Sequence, residues 1–322
     1  MPPALTLILS HADHSASGLF NAHGNGDLKS TQRHVALSRL QMTGQLRDAV
    51  PDTVSPFHKW FRKDGQDTSF SAYMDSFHQW VFPYELIKPL IQGSETVARL
   101  HDNLLNSRDA VDRDLGAALE CVASETSRKH QFFQLHAPLR LLVKALEFNN
   151  AQGLAASPPV QLYIAQSLLT DLPGPLQGDV PAPALIRNVG RGDIYSSSVW
   201  LGTEPTYTPL HRDPNPNLFC QLCSSKVVRL LPPDAGLGLY NSIQMRLRQS
   251  GNSRMRSTEM MEGGEREMLH SAVWGNKTAT ADAQEVRLRA GDSLFIPKGW
   301  WHSVKSERSD GHLNGSVNWW FR

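Results

Sequence analysis

The stretch Thr208-Pro209-Leu210-His211-Arg212-Asp213-Pro214 holds a histidine and an aspartate two residues apart. Side chains alternate along an extended backbone, so His211 and Asp213 leave the chain on the same side. An imidazole and a carboxylate placed that way can grip one metal ion. A third ligand has to come from elsewhere, and His302, closing the run Gly291-Asp292-Ser293-Leu294-Phe295-Ile296-Pro297-Lys298-Gly299-Trp300-Trp301-His302, is the candidate. Two imidazoles and one carboxylate on one face of an octahedral ion leave three positions open, a donor set suited to Fe(II) and O2 chemistry. Alone, His-x-Asp is a weak signal, because a loop histidine capped by a nearby aspartate is spelled the same way.

Other residues with chemical potential are easier to read as structure. Cys220-Gln221-Leu222-Cys223 has the spacing of a redox pair or a zinc half-site. No second pair exists, and on an alternating strand the two thiols face opposite ways, so buried free cysteines are expected. The chain has 13 histidines. His11, His14, His23 and His34 sit in a polar N-terminal stretch, while His270 and His312 fall in an insert and a loop. These six are expected to make only surface or local hydrogen bonds.

The elements that must position the triad are legible in outline. Residues 1–45, rich in His, Ser, Gly and Asn, are expected to form a loosely ordered arm. Residues 46–155 are an aromatic and helical region: Trp60, Phe61, Phe70, Tyr73, Phe77, Trp80 and Phe82 predict short elements that pack on a larger unit. Val97, Leu100, Leu104 and Leu105, then Leu115, Leu119 and Val122, then Leu139, Leu142, Val143 and Leu146, recur at helical spacing. They predict two or three amphipathic helices with a break near 128–131. From 156 to 322 the pattern turns to short strands divided by Gly and Pro: 160–164, 194–201, 218–222, 227–231, 286–288, 293–296 and 315–321. The segment 234–290 is too long and polar for a plain turn and reads as a lid or substrate-binding insert. The fold class expected is mainly β with α (α+β), a sandwich or barrel with an N-terminal helical region.

With these segments in hand, the sequence resembles the JmjC, or cupin-like, 2-oxoglutarate oxygenases, nearest their small hydroxylase branch. The resemblance lies in Gln161-Leu162-Tyr163-Ile164-Ala165-Gln166, in 208–233, in 291–304 and in 314–321, and a fainter likeness touches 57–86. It implies a double-stranded β-helix (jelly-roll) core. It also implies that His211, Asp213 and His302 hold Fe(II), with 2-oxoglutarate as cosubstrate alongside O2. Lys226, 15 residues beyond His211, matches the lysine that pairs with the distal carboxylate of 2-oxoglutarate. A buried dicarboxylate needs a fixed cation and hydroxyl donors, and Tyr163 and Thr208 match the donors. Asn217 and Asn318 match amides that approach the oxoacid and the open metal positions, and Trp320 matches a residue bordering the substrate. Trp300, Trp301 and Trp319 are expected in the barrel core.

The activity implied is hydroxylation of a C–H bond with release of succinate and CO2, the first expectation being a protein side chain. A small molecule in a biosynthetic, fungal secondary-metabolite pathway is the alternative. A JmjC chromatin or interaction module, a histone demethylase and a zinc-dependent cupin isomerase are further ones. Interaction modules usually lose a triad or lysine position, whereas all are kept here. A demethylase with a zinc reader domain would need more cysteines and a basic tail, and the isomerase would not need Lys226 or Tyr163. Lys+Arg total 32 and Asp+Glu 31, a net charge of +1, which argues against a surface built for nucleic acid or anionic lipid. No apolar run reaches the roughly 20 residues of a membrane span. Three cysteines and no secretory leader predict an intracellular protein, cytoplasmic or nuclear. Because related asparaginyl hydroxylases dimerise through helices beyond the last strand, a monomer is expected.

Overall fold

A computed structural model describes residues 7–9, 59–64, 67–88, 94–124, 132–152, 158–188, 192–248, 263–275 and 283–322. Most of the expected arm, with four of the histidines, and the expected break at 128–131 lie outside them.

Helical spacing produces helices where apolar side chains fall on one stripe. In α1 (Ser94–Leu105) these are Val97, Leu100 and Leu104, and in α2 (Ala110–Ala123) Leu115, Leu119 and Val122, all buried. Asp109 caps α2, its carboxylate accepting from the Val111 amide at 2.9 Å. The third helix, α3 (Leu139–Gln152), does not follow directly. Strand β5 (Phe132–Pro138) intervenes and was not legible. It is the last strand of its sheet, and its exposed Gln134 and His136 alternate with Phe133, Leu135 and Ala137 over a run too short to stand out between two helical stripes.

Fourteen strands are described. β2 (Phe61–Asp64) and β3 (Asp67–Phe70) form a hairpin. The others make two antiparallel sheets. The larger has the order β1 (Leu7–Leu9), β12 (Ser293–Ile296), β9 (Asn217–Cys223), β14 (Leu313–Phe321), β7 (Ile194–Thr203), β6 (Gln161–Leu168), β4 (Val81–Ile87), β5. The smaller has the order β11 (Gln284–Arg289), β10 (Ser225–Leu231), β13 (Trp301–Ser306), β8 (Tyr207–Arg212). Sequence-distant strands alternate within and between the sheets, the jelly-roll arrangement. β4 and β5 extend the large sheet, so the N-terminal region contributes strands as well as helices.

Three apolar layers follow. Phe219, Val228, Leu230, Val286, Leu288, Leu294, Ile296 and Val304 fill part of the barrel interior. Val199, Leu201, Leu218, Val317, Trp319 and Phe321 point the other way, onto the helices. Leu210, Leu231 and Trp301 leave the outward face of the small sheet. They pack against α6 (Pro233–Leu247), α7 (Gly263–His270) and the π-helical turn Ser271–Gly275, which form the described part of the insert and follow two short helices in the chain, α4 (Gly174–Asp179) and α5 (Ala184–Asn188). The tryptophans therefore do not share one barrel core. Alternation sends Trp301 and Trp319 outward and Trp320 inward.

Cys220 and Cys223 are free and buried, but they do not face opposite ways; both join the layer under the helices. The reason is a bulge: β9 pairs Cys223 with Gly315 and Gln221 with Ser316, leaving Leu222 over and resetting the alternation. Burial pushes the Cys220 thiol up to about 12, consistent with an inert side chain. Among the described residues, no helix is long and apolar enough to cross a membrane.

Candidate metal and cosubstrate site

The small sheet brings the two histidines together. β8 and β13 are antiparallel neighbours, and His211 and His302 are register partners with ring centroids 4.2 Å apart. Asp213 follows β8, its Oδ1 3.9 Å from His211 Nε2 and its Oδ2 3.5 Å from His302 Nε2. One ligand atom from each of the three residues lies within 4.8 Å of the others.

The rings are presented correctly for a ligand role. His211 Nδ1 hydrogen-bonds the Pro209 carbonyl at 2.8 Å, and His302 Nδ1 the Trp300 carbonyl at 3.3 Å. With Nδ1–H donating to backbone, Nε2 carries the lone pair that a metal takes, the usual outer support of metal-binding histidines. A divalent cation with N/O preference fits this donor set. Burial alone would raise the Asp213 carboxyl. The His302 and His211 imidazoles beside it, with hydrogen bonds from Trp320 and Asn217, hold it below the usual carboxylate range.

Asn217 and Asn318, matched by resemblance to the oxoacid contacts, form a relay to that carboxylate. Asn318 Nδ2 donates to Asn217 Oδ1 at 2.9 Å, and Asn217 Nδ2 donates to Asp213 Oδ2 at 3.0 Å. Trp320, expected at the substrate border, donates to the same carboxylate and packs with Ala165, Trp200 and Tyr163 inside the barrel. The side chain that holds the acid in place thus also belongs to the inward aromatic cluster.

Lys226 is 2% exposed, facing inward from β10. Its ammonium reaches the Tyr163 hydroxyl at 3.2 Å and the Ser316 hydroxyl at 2.8 Å, with the Tyr163 and Phe219 rings 5.5 Å away. Ser316 was missed by sequence reasoning. The signal available was alternation: it stands two residues before Asn318 and four before Trp320, on the same inward face of β14. Thr208 is buried on β8, where its carbonyl accepts from Ser303; its hydroxyl makes no described contact with Lys226. Tyr163 sits tightly over β7, since a Cβ on Gly202 would lie 2.5 Å from its ring.

A cation and two hydroxyls in a dry recess make a carboxylate site. Ser316 marks the level of the lysine and Trp320 the level of Asp213. Four residues of extended strand separate them, about 13 Å.

The cupin-like domain model matches residues 58–322. The Arabidopsis thaliana protein named lysine-specific demethylase JMJ30 is 30% identical over 166 residues, 52% of this chain and 35% of that protein. JmjC domain-containing protein D of Dictyostelium discoideum is 29% identical over 154 residues, 45% of this chain and 32% of that protein. Lysine-specific demethylase 8 of Danio rerio is 27% identical over 160 residues, 49% of this chain and 36% of that protein. The match thus spans about a third of the length of these relatives. Matched over four-fifths of its length and carrying the His-Asp-His group inside a jelly roll, the chain belongs to the cupin-like, JmjC-type domain family.

Proposed function

We propose that the chain is an Fe(II)- and 2-oxoglutarate-dependent oxygenase that hydroxylates a C–H bond of a protein side chain. The observation that carries this reading is the pairing of two sites inside one barrel. Three convergent metal donors stand at the level of Trp320, and a buried lysine with two hydroxyls stands at the level of Ser316, four residues earlier on β14.

In this reading His211, Asp213 and His302 hold the metal, while Asn217 and Trp320 keep the Asp213 carboxylate turned toward it. Lys226, Tyr163 and Ser316 bind the distal carboxylate of 2-oxoglutarate and so fix the other end of the cosubstrate. Bound Fe(II), with 2-oxoglutarate and O2, supplies the oxidation, and succinate and CO2 leave as coproducts. Tyr163, Trp200 and Trp320 wall the space between the two sites and keep water from it. Orientation and exclusion of water are the protein's contribution.

A second reading is favoured by the relatives' names, several of which are lysine demethylases. Hydroxylation of an N-methyl carbon gives a hemiaminal that breaks down to the amine and formaldehyde, so the same centre serves both outcomes. The deciding experiment incubates the Fe(II)-loaded protein with 2-oxoglutarate and peptide pools, methylated and unmethylated, beside a metabolite panel. Succinate release that depends on unmethylated peptide, with a mass gain of one oxygen, supports the hydroxylase. Formaldehyde from methylated peptide supports demethylation. Turnover with metabolites alone overturns both.

A further inference from the structure

The outward face of the ladder carrying the two histidines is organised as closely as the inward one. His302 lies between Trp301 and Ser303 on β13, and alternation sends both neighbours away from the metal donors. Trp301 is fully buried. Its ring lies 5.2 Å from that of Tyr240 in α6, and the Arg212 guanidinium stands 5.4 Å over it. A Cβ on Gly236 of α6 would come within 2.2 Å of its Cγ. Among the described residues the indole N–H has no hydrogen-bond partner, so ring contacts and packing hold Trp301. Trp301 and Arg212 are register partners, as His302 and His211 are.

The other neighbour is held through a hydroxyl. Ser303 Oγ donates to the Thr208 carbonyl at 2.8 Å and accepts from Trp274 Nε1 at 3.0 Å. Trp274, in the π-helical turn of the insert, has Arg229 4.7 Å and Lys305 4.5 Å from its ring centre. Glu265 ties the two parts of the insert together, accepting from Gln244 of α6 at 2.9 Å. These braces sit where the ladder is weakest, because the β8–β13 register shifts between His302 and Val304. A bulge breaks ladder hydrogen bonds and bends the strand, and the Ser303 hydroxyl bonds across it.

We propose that Trp301 and Trp274 are positioning residues of the metal centre, clamping the outward face of this bulged ladder and so setting the separation of His211 and His302. The proposal rests on the reading of the triad as a metal site. It makes the insert a determinant of metal geometry as well as a cover over the sheet.

Co(II) binding to the full chain, followed by its visible absorption, tests this. Trp301→Phe keeps an aromatic ring and loses no hydrogen bond to a described residue, and Trp274→Phe keeps a ring beside Arg229 and Lys305 while removing the bond to Ser303. Each variant is expected to bind Co(II) roughly ten-fold more weakly, with a changed band shape. Leu119→Ala, in the distant core under α2, is expected to lower the melting temperature while keeping wild-type Co(II) binding. Wild-type affinity and spectrum in both tryptophan variants would overturn the positioning role alone. So would an equal loss of affinity in the Leu119 control, which would reduce the effect to general stability. Wild-type protein that binds no Co(II) would overturn the metal reading and the proposal with it.

Discussion

His211 and His302 are directly opposed on neighbouring antiparallel strands, and each commits its Nδ1 to the carbonyl two residues before it, Pro209 and Trp300. This repeated local geometry leaves two Nε2 atoms beside one carboxylate. Replacing His302 or Asp213 by Ala is expected to abolish metal binding and succinate release. The far-ultraviolet circular dichroism should stay as in the wild type, since neither side chain belongs to an apolar layer. Full turnover in either variant would remove that residue from the ligand set.

Lys226→Ala should act on the cosubstrate rather than the metal. Loss of a buried charge-assisted pair typically costs about 2–5 kcal/mol. Calorimetric titration of 2-oxoglutarate into metal-loaded protein should register that loss, with Co(II) affinity unchanged. Ser316→Ala and Tyr163→Phe should each cost about 0.5–1.5 kcal/mol, the worth of one ordinary hydrogen bond.

The relay from Asn318 through Asn217 to Asp213 makes a separate claim. Asn217→Ala leaves all three ligands in place but frees Asp213 to turn. Removing such an outer partner typically costs 10–100-fold in metal affinity. A metal titration showing no loss would mean that Trp320 alone suffices to hold the carboxylate.

Gly202 is a site of close approach: an added Cβ would meet the Tyr163 ring at 2.5 Å and the Leu162 carbonyl at 2.7 Å. The carbonyl is backbone and cannot swing aside. Gly202→Ala should therefore destabilise the protein by about 1–3 kcal/mol, as overpacking does. It should also weaken 2-oxoglutarate binding through the displaced Tyr163. Denaturant midpoints and the same titration read the two effects separately.

Acid sensitivity should arise in part at Asp179, outside the metal site. Asp179 is buried and accepts from Lys59, from Trp60 Nε1 at 2.9 Å and from the Tyr73 hydroxyl at 2.8 Å, joining α4 (Gly174–Asp179) to the segment around the β2–β3 hairpin. Burial alone would raise its carboxyl, but these partners hold it below its ordinary value. A folded-state value below the unfolded one stabilises the fold above the unfolded value, and that contribution fades as pH falls through the folded one. Melting temperature should thus drop as pH is lowered below about 4. Asp179→Asn should melt lower at neutral pH and lose less on acidification.

Much of the site was present in the residue order. His-x-Asp on an extended backbone, a later histidine after a Pro-Lys-Gly turn and a lysine opening the next strand are local facts, and the alternation that aims them inward is a property of any strand. The helical stripes at Val97–Leu104 and Leu115–Val122 are local in the same sense. Three features needed the folded chain. The partnership of Ser316 with Lys226 joins residues 90 positions apart, and a serine carries no marker of its own in sequence. The relay through Asn217 to Asp213 depends on β9 and β14 lying side by side, which strand patterns alone do not settle. The turning of Cys223 onto the same layer as Cys220 follows from a bulge, where one unpaired residue reverses the alternation on which the sequence reading relied. Period and residue type determine which side chains can meet; only strand order and register decide which of them do.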